Sequence, residues 1–274
     1  MAQSVVGNTS GLSPLERSSL QKLYTYQTPP DRVVGDRLGR QMCAIAAQCR
    51  RQVGALIDRR GRVTHVVVGD DNKIELPDVG RLRTSQGRLR GVRLVHVHLK
   101  GEALTDDDLT DLARLGLDLV AAITLDGELP DKVHIGHIVP TNPGDVIRDV
   151  RPHEVMEPLL WPAQTFDARE IIEDLETQLA RNRPRAKLVD ARAQALLVHV
   201  GSETLAECED RLDELEELAR TARVEVLGRV IQRRAKVHHE TVLGSGRLQA
   251  VILEAMQAEA EMLIFDRELT PGQG

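Results

Sequence analysis

The order of apolar runs and helical segments in the last third of the chain constrains its fold most. Apolar runs at residues 195–200, 224–230 and 262–265 are separated by single segments with helical spacing at residues 203–222 and 246–260. Strands that alternate with single helices form a parallel sheet, because a parallel pair of strands needs a long crossover connection. The sequence therefore predicts a parallel α/β domain over residues 191–274. Ser202 is the predicted cap of its first helix, and the predicted apolar face of that helix consists of Leu205, Cys208, Leu212, Leu215 and Leu218.

Residues 32–140 predict a separate α/β domain ahead of it. Apolar runs at Val53–Ile57 and Val63–Val68 flank an Asp-Arg-Arg-Gly turn, which is the pattern of a β-hairpin. A strand at Val92–His98 and a helix capped by Thr105 follow, with two more strands up to residue 139. Residues 1–31 predict a mobile arm with one short helix. Prolines between residues 140 and 162 mark a linker over residues 141–190, which also holds a helix at residues 168–181.

The composition limits what the chain is expected to bind. Aromatic residues make up 2% and hydrophobic residues 41% of the sequence, so the cores must be aliphatic and base stacking on exposed rings is not expected. The net charge of −6 means that any contact with RNA must come from a local basic patch, and no DNA partner is expected. Three cysteines without a CxxC pair are typical of a reducing compartment. Because the sequence shows no signal peptide and no membrane span, we expect a cytoplasmic protein.

A glycine turn and an acidic run near the C-terminus carry a family resemblance. The stretch Val242–Leu248 reads Val-Leu-Gly-Ser-Gly-Arg-Leu, and Leu263–Gln273 contains Phe-Asp-Arg-Glu-Leu-Thr-Pro. The upstream stretch Leu227–Arg234 fits the same order and spacing. Together they closely resemble the N-terminal region of the HflX family of ribosome-associated GTPases, over residues 190–274 of this sequence.

This resemblance implies a function and a set of contact residues. It implies that residues 191–274 form the N-terminal GTP-binding-protein domain that binds the large (50S) ribosomal subunit, in a factor that splits or rescues ribosomes. Basic side chains on one strand and its loop are the candidates for contacts to rRNA phosphates, and glycines shape the turn before a helix, where a phosphate can bind. The candidates are Arg229, Arg233, Arg234, Lys236, Gly244, Gly246 and Arg247. From the residues alone, a solvated strand edge beside a simple loop is the alternative interpretation.

A nucleotide-hydrolysing motif does not accompany these residues. The turn at Gly244 lacks the lysine and the hydroxyl of a GxxxxGKS/T loop, and no such run occurs elsewhere in the 274 residues. The resemblance implies that a helical hairpin and the GTPase domain, with its GTP and Mg²⁺, follow residue 274. We therefore expect a truncated chain that is not catalytic by itself.

A second set of chemically active residues lies in the first predicted domain. His96 and His98 alternate along a strand and therefore share one face, and Asp108 follows near a helix start. Two histidines and one carboxylate suit zinc with one open coordination position. The pattern resembles a degenerate JAB/MPN metallopeptidase, in which such residues hold zinc, although Gln52 stands where that family has its catalytic glutamate.

The sequence leaves three interpretations of the first domain open. One is a zinc-binding JAB/MPN-like metallopeptidase or its inactive relative, since a glutamine cannot act as a general base. Another is a structural pair of polar histidines at a strand end, paired with Asp106 or Asp108. The third is a regulatory module that restrains a GTPase domain encoded downstream.

Overall fold

A computed structural model describes residues 4–74, 76, 89–140, 153–161, 166–181, 193–234, 242–258 and 260–270. These residues divide into two compact units. The first contains the described residues up to Val139 together with those of His153–Thr177, and the second contains Pro140 and the described residues from Gln178 onward. Both units combine a sheet with helices, so the predicted α/β class is confirmed.

The first unit is built on an eight-stranded mixed sheet with the strand order β1-β3-β2-β4-β5-β6-β7, in which β8 also pairs with β6. The strands are β1 (Val5–Gly7), β2 (Val53–Asp58), β3 (Val63–Val68), β4 (Val92–His98), β5 (Val120–Asp126), β6 (Leu129–Ile138), β7 (His153–Val155) and β8 (Leu159–Leu160). The predicted hairpin is confirmed, because β2 and β3 pair in antiparallel register. Strand β4 pairs antiparallel with β2 and parallel with β5, which places it in the middle of the sheet.

Helices cover both faces of this sheet. The helices of this part of the chain are α1 (Pro14–Lys22), a short 3-10 helix (Leu23–Thr25), α2 (Asp36–Cys49), α3 (Asp106–Leu115) and α4 (Ala168–Arg181). Helix α2 packs its buried Leu38 and Met42 into the same aliphatic core as Val95 and Val97 of β4. Neighbouring side chains along a strand point to opposite faces, so His96 and His98 face away from this core, towards α3.

Helix α3 begins where the sequence predicts it. The Thr105 hydroxyl accepts a hydrogen bond from the Asp108 backbone amide, and the Asp108 carboxylate accepts one from the Thr105 amide at 2.7 Å. This reciprocal pair satisfies two backbone amides that the first turn leaves open. It also fixes the position of the Asp108 side chain at the helix start.

The N-terminal segment differs from the predicted mobile arm. Strand β1 pairs in parallel with β3, and Leu20 and Leu23 are completely buried. The polar composition of residues 1–31 suggested an arm, but these two leucines bury enough apolar surface to hold the segment against the sheet.

The predicted proline-rich linker also contributes to the first unit. Strands β7 and β8 both pair with β6. Trp161 follows β8, and its indole Nε1 donates to Asp36 at 3.0 Å. Its ring lies directly over Gly39 of α2, where a Cβ atom would come within 2.2 Å of it. Residues 153–161 of the predicted linker therefore belong to the first unit.

The second unit is a three-stranded parallel sheet with the order β10-β9-β11. Its elements are β9 (Gln194–Gly201), α5 (Leu205–Thr221), β10 (Glu225–Arg233), α6 (Ser245–Ala258) and β11 (Met262–Phe265). Leu212 and Ala219 of α5 pack on Leu197 at one face, whereas Val251 of α6 packs on Val198 at the other. The predicted parallel sheet with crossover helices is confirmed.

The start of α5 differs from its predicted position. The sequence pattern suggested Ser202 as the cap, but Thr204 holds that position and exchanges hydrogen bonds with Glu207. The reciprocal pair of Thr204 and Glu207 satisfies two backbone amides, which a serine two residues earlier cannot do. The predicted apolar face of α5 is also narrower, because Leu205 is 42% and Leu218 is 62% exposed while Cys208 and Leu212 are buried.

Within the described residues, no helix combines the length and the apolar composition that crossing a bilayer requires.

Candidate functional site

His96, His98 and Asp108 converge in the first unit. Each offers one ligand atom, and these three atoms lie within 4.8 Å of one another. His96 Nε2 is 3.4 Å from Asp108 Oδ1, and His98 Nε2 is 3.5 Å from Asp108 Oδ2. The two imidazole rings meet edge to face with their centroids 4.5 Å apart. Strand alternation brings the histidines together, and the helix start brings the aspartate over them.

Burial sets the charge state of His96. The residue is only 1% exposed, and neither of its ring nitrogens has a hydrogen-bond partner. Burial lowers the pKa of His96 well below its ordinary value, and His98 lowers it further, while the Asp108 carboxylate opposes the shift. His96 is therefore neutral at pH 7 and keeps a lone pair on one ring nitrogen. Leaving such a buried polar group unpaired costs about 1–3 kcal/mol.

Two small residues flank His96 in the sheet. In the sheet His96 lies between Gly54 of β2 and Ala122 of β5. A Cβ atom at Gly54 would lie 2.8 Å from Ile74 Cδ1, so glycine also allows this isoleucine to close over the strand.

A polar cavity of about 320 Å³ lies against Asp108. It is lined by Asn72, Lys73, Ile74, Leu76, Thr105, Asp107, Asp108, Thr110, Asp111 and Arg114. Burial raises the pKa of Asp111, although the hydrogen bond and charge of Arg114 oppose the shift. Because Asp108 lines this cavity, solvent can reach its carboxylate.

Gln52 does not supply a catalytic base in this unit. Its side chain is buried and its Nε2 donates to the Asn72 carbonyl at 2.7 Å. An amide neither gains nor loses a proton near neutral pH, so it cannot activate a metal-bound water. The arrangement does not favour the peptidase interpretation.

In the second unit, the carboxyl-terminal edge of the sheet collects several candidate residues. Parallel strands end at one edge, and this edge is where open α/β sheets commonly bind ligands. The Arg234 amide donates to the Gly201 carbonyl, so the ends of β10 and β9 lie side by side. Arg233 and Arg234 are both exposed there, and Arg233 Nε donates to the Glu203 carbonyl at 3.0 Å.

The turn before α6 lies against Arg234. A Cβ atom at Gly244 would come within 2.8 Å of Arg234 Nη1, so this glycine lets the guanidinium approach the turn. Arg247 lies in the first turn of α6 after Gly246, and burial lowers its pKa while Glu254 opposes that shift. The structure thus brings Arg234, Gly244 and the start of α6 together.

Arg229 has a different environment from Arg233 and Arg234. Its guanidinium pairs with Asp213 and with Glu216 of α5, and hydrogen bonds to both carboxylates raise its pKa. Arg229 lies opposite Leu197, in the middle of the edge strand β10 and four residues before the end of that strand. These carboxylates neutralise its charge locally. Lys236 lies outside the described residues.

Comparisons with known proteins find similarity over part of the chain. Residues 209–274 match a family model described as GTP-binding GTPase N-terminal. A segment of 87 residues, 32% of this chain, is 32% identical to the GTPase HflX of Lacrimispora saccharolytica. A segment of 67 residues, 24% of this chain, is 39% identical to the GTPase HflX of Alkalihalophilus pseudofirmus.

Residues 209–274 resemble the N-terminal region of HflX GTPases. The resemblance predicted from the glycine turn and the acidic run is therefore confirmed. The matched segments span 21% and 16% of the length of these two relatives. Arg229, Arg233, Arg234, Gly244, Gly246 and Arg247 all belong to this HflX-type region, whereas His96, His98 and Asp108 precede it. The JAB/MPN resemblance of the first unit stays a prediction.

One cluster in and beside the HflX-type region was not predicted from sequence. His199 of β9 hydrogen-bonds through Nδ1 to Asp266, and its Nε2 lies 3.6 Å from Glu203. His199 is the one polar side chain in the run Ala195–Val200, and Asp266 follows directly after β11. Because parallel strands end at one edge, these two signals could have placed His199 and Asp266 together. Through this hydrogen bond, Asp266 of the Phe-Asp-Arg-Glu-Leu-Thr-Pro stretch contacts the end of β9.

Proposed function

We propose that this chain supplies the N-terminal, ribosome-contacting part of an HflX-type GTPase, and that the whole factor uses GTP to split or rescue ribosomes. The observation that carries the proposal is the similarity of residues 209–274 to the N-terminal region of GTPases named HflX. The proposed partner is the large ribosomal subunit, and GTP hydrolysis belongs to a part of the factor other than these 274 residues.

The carboxyl-terminal edge of the second sheet is the proposed rRNA contact. Arg233 and Arg234 are exposed at that edge, and Arg234 lies over the glycine turn that opens α6. The free amides at a helix start and two guanidinium groups suit a phosphate oxygen. The chain carries a net charge of −6, so the contact must be local. Arg229 contributes less, because two carboxylates already hold its guanidinium.

The test compares charge-matched variants of the full chain in co-sedimentation with large ribosomal subunits. Removing a phosphate contact lowers the steepness of the salt dependence by about one in log–log slope. We expect the double variant R233A/R234A to lose roughly tenfold or more in affinity at low salt and to depend less steeply on salt.

The matched control is the double variant R220A/R229A, which removes the same charge. Both arginines pair with acidic residues of α5, and Arg220 contacts Glu216 and Glu217. We expect this variant to bind within about threefold of the wild type, since its arginines are not free for phosphates. Equal losses in the two double variants would show a general charge effect and would refute the proposed edge.

A further inference from the structure

The geometry of His96, His98 and Asp108 points to a metal site that is independent of the proposed ribosome contact. We propose that His96 Nε2, His98 Nε2 and the Asp108 carboxylate bind one zinc-class divalent ion. The fourth position is open to a water molecule from the cavity that Asp108 lines. The site lies in the first unit and uses none of the arginines of the second.

The tautomer of His98 is the first argument. Its Nδ1 lies 3.0 Å from the Glu102 backbone carbonyl, which can only accept a hydrogen bond, so Nδ1 carries the proton. With Nδ1 acting as the donor, Nε2 is the ring nitrogen that can bind a metal, and it lies 3.5 Å from Asp108 Oδ2. In metal sites, the histidine nitrogen that does not bind the metal commonly donates a hydrogen bond to such a backbone carbonyl.

The buried His96 ring is the second, independent argument. It is 1% exposed and has no hydrogen-bond partner at either nitrogen, although its Nε2 faces Asp108 Oδ1 at 3.4 Å. Buried polar atoms in proteins are almost always satisfied. A metal ion would satisfy His96 Nε2.

The distances fit the size of zinc. Bonds of about 2.0–2.1 Å in a tetrahedral site separate neighbouring ligand atoms by about 3.3 Å. The two histidine–aspartate separations are 3.4 Å and 3.5 Å, so an ion fits with small movements. Asp108 is already held by its hydrogen bonds with Thr105, which leaves little freedom to reorganise on binding. Nitrogen donors together with a single carboxylate favour zinc over magnesium or calcium.

The site is expected to bind metal without hydrolytic chemistry. Gln52 is buried and bonded to Asn72, which lines the cavity, and its amide cannot take a proton from a metal-bound water. The metal would therefore hold β4 and the start of α3 together and present one exchangeable position to the cavity.

The experiment measures zinc binding by tag-free full-length chain after removal of metals with a chelator. We expect about one equivalent of Zn²⁺ to bind to the wild type, to raise its melting temperature, and to be replaced by Co²⁺ with the visible absorption of a tetrahedral site. The variants H96Q and H98Q should lose this equivalent. D108N should weaken binding at least tenfold, while its amide oxygen can still cap α3 at Thr105.

The control variant is H65Q, on β3 of the same unit, where His65 contacts Thr64 and not the cluster. It should bind zinc as the wild type does. Far-ultraviolet circular dichroism and thermal unfolding in the presence of chelator check that each variant folds. If a histidine variant does not fold, D108N still tests the proposal. The proposal is overturned if the wild type binds no zinc at micromolar concentration, or if a folded H96Q or D108N binds as tightly as H65Q.

Discussion

At the scale of single residues, a buried charged side chain is stabilised by partners that are distant in sequence. Asp118 precedes β5 and is completely buried, yet Arg59 donates to both of its oxygens, at 2.7 Å and 2.9 Å, and the Gly91 amide donates at 2.9 Å. Arg59 also reaches Glu176 of α4. Neither partner was predicted, because a charged residue in a hairpin turn gives no sign that a carboxylate 59 residues away will be buried beside it.

We predict that R59M destabilises the first unit through Asp118. Losing the arginine leaves a buried carboxylate without its partner, which costs about 2–3 kcal/mol after allowance for the partial exposure of Arg59. Burial raises the pKa of Asp118, so the folded state binds a proton there more tightly than the unfolded state. The stability deficit of R59M should therefore shrink as the pH falls from 7 through the raised pKa, since protonation removes the stranded charge.

Urea unfolding of wild type and R59M at pH 7 and at mildly acidic pH measures both effects. The control is R62M, which removes an arginine whose ion pair with Asp58 is more exposed, and which should cost less than about 1 kcal/mol. A deficit that is the same size in R62M, or that grows on acidification, would contradict the role given to Asp118.

At the scale of elements, the sequence predicts a hairpin or a helix start correctly where residues within a few positions determine it. The hairpin of β2 and β3 and the Thr105 start of α3 follow from turn and capping residues within a few positions. The start of α5 was misplaced because Ser202 and Thr204 are both good caps, and only Thr204 has a glutamate three residues on. The reciprocal hydrogen bonds decide between two otherwise equivalent signals.

We predict that T204A and S202A differ in their effect on stability. T204A should lower the free energy of unfolding of the second unit by about 1 kcal/mol, because it removes the acceptor for the Glu207 amide. S202A should change it by less than about 0.5 kcal/mol. Thermal unfolding of the two alanine variants, followed by circular dichroism, gives the comparison. A larger loss of stability in S202A than in T204A would contradict the assignment of Thr204 as the cap of α5.

At the scale of the whole molecule, the periodicity of apolar residues predicted the fold class of each unit but not the contacts between segments that are distant in sequence. Alternating strands and helices predicted the parallel sheet of the second unit, and His96 and His98 were placed on one face by strand alternation. The approach of Asp108 to both histidines depends on how α3 covers the sheet, and the pairing of His96 with Gly54 and Ala122 depends on the register of neighbouring strands. Such cross-strand neighbours, like the burial of Leu20 and Leu23, depend on long-range pairing that a local pattern does not encode.

The salt dependence of binding between the full chain and purified large ribosomal subunits tests the central claim most directly. If Arg233 and Arg234 contact rRNA phosphates, the logarithm of the association constant should fall linearly with the logarithm of salt concentration, by about 0.7–0.9 for each phosphate contacted. Small subunits should bind much more weakly under the same conditions. Binding that does not change with salt, or no binding to large subunits at low salt, would contradict the proposed ribosome-contacting function.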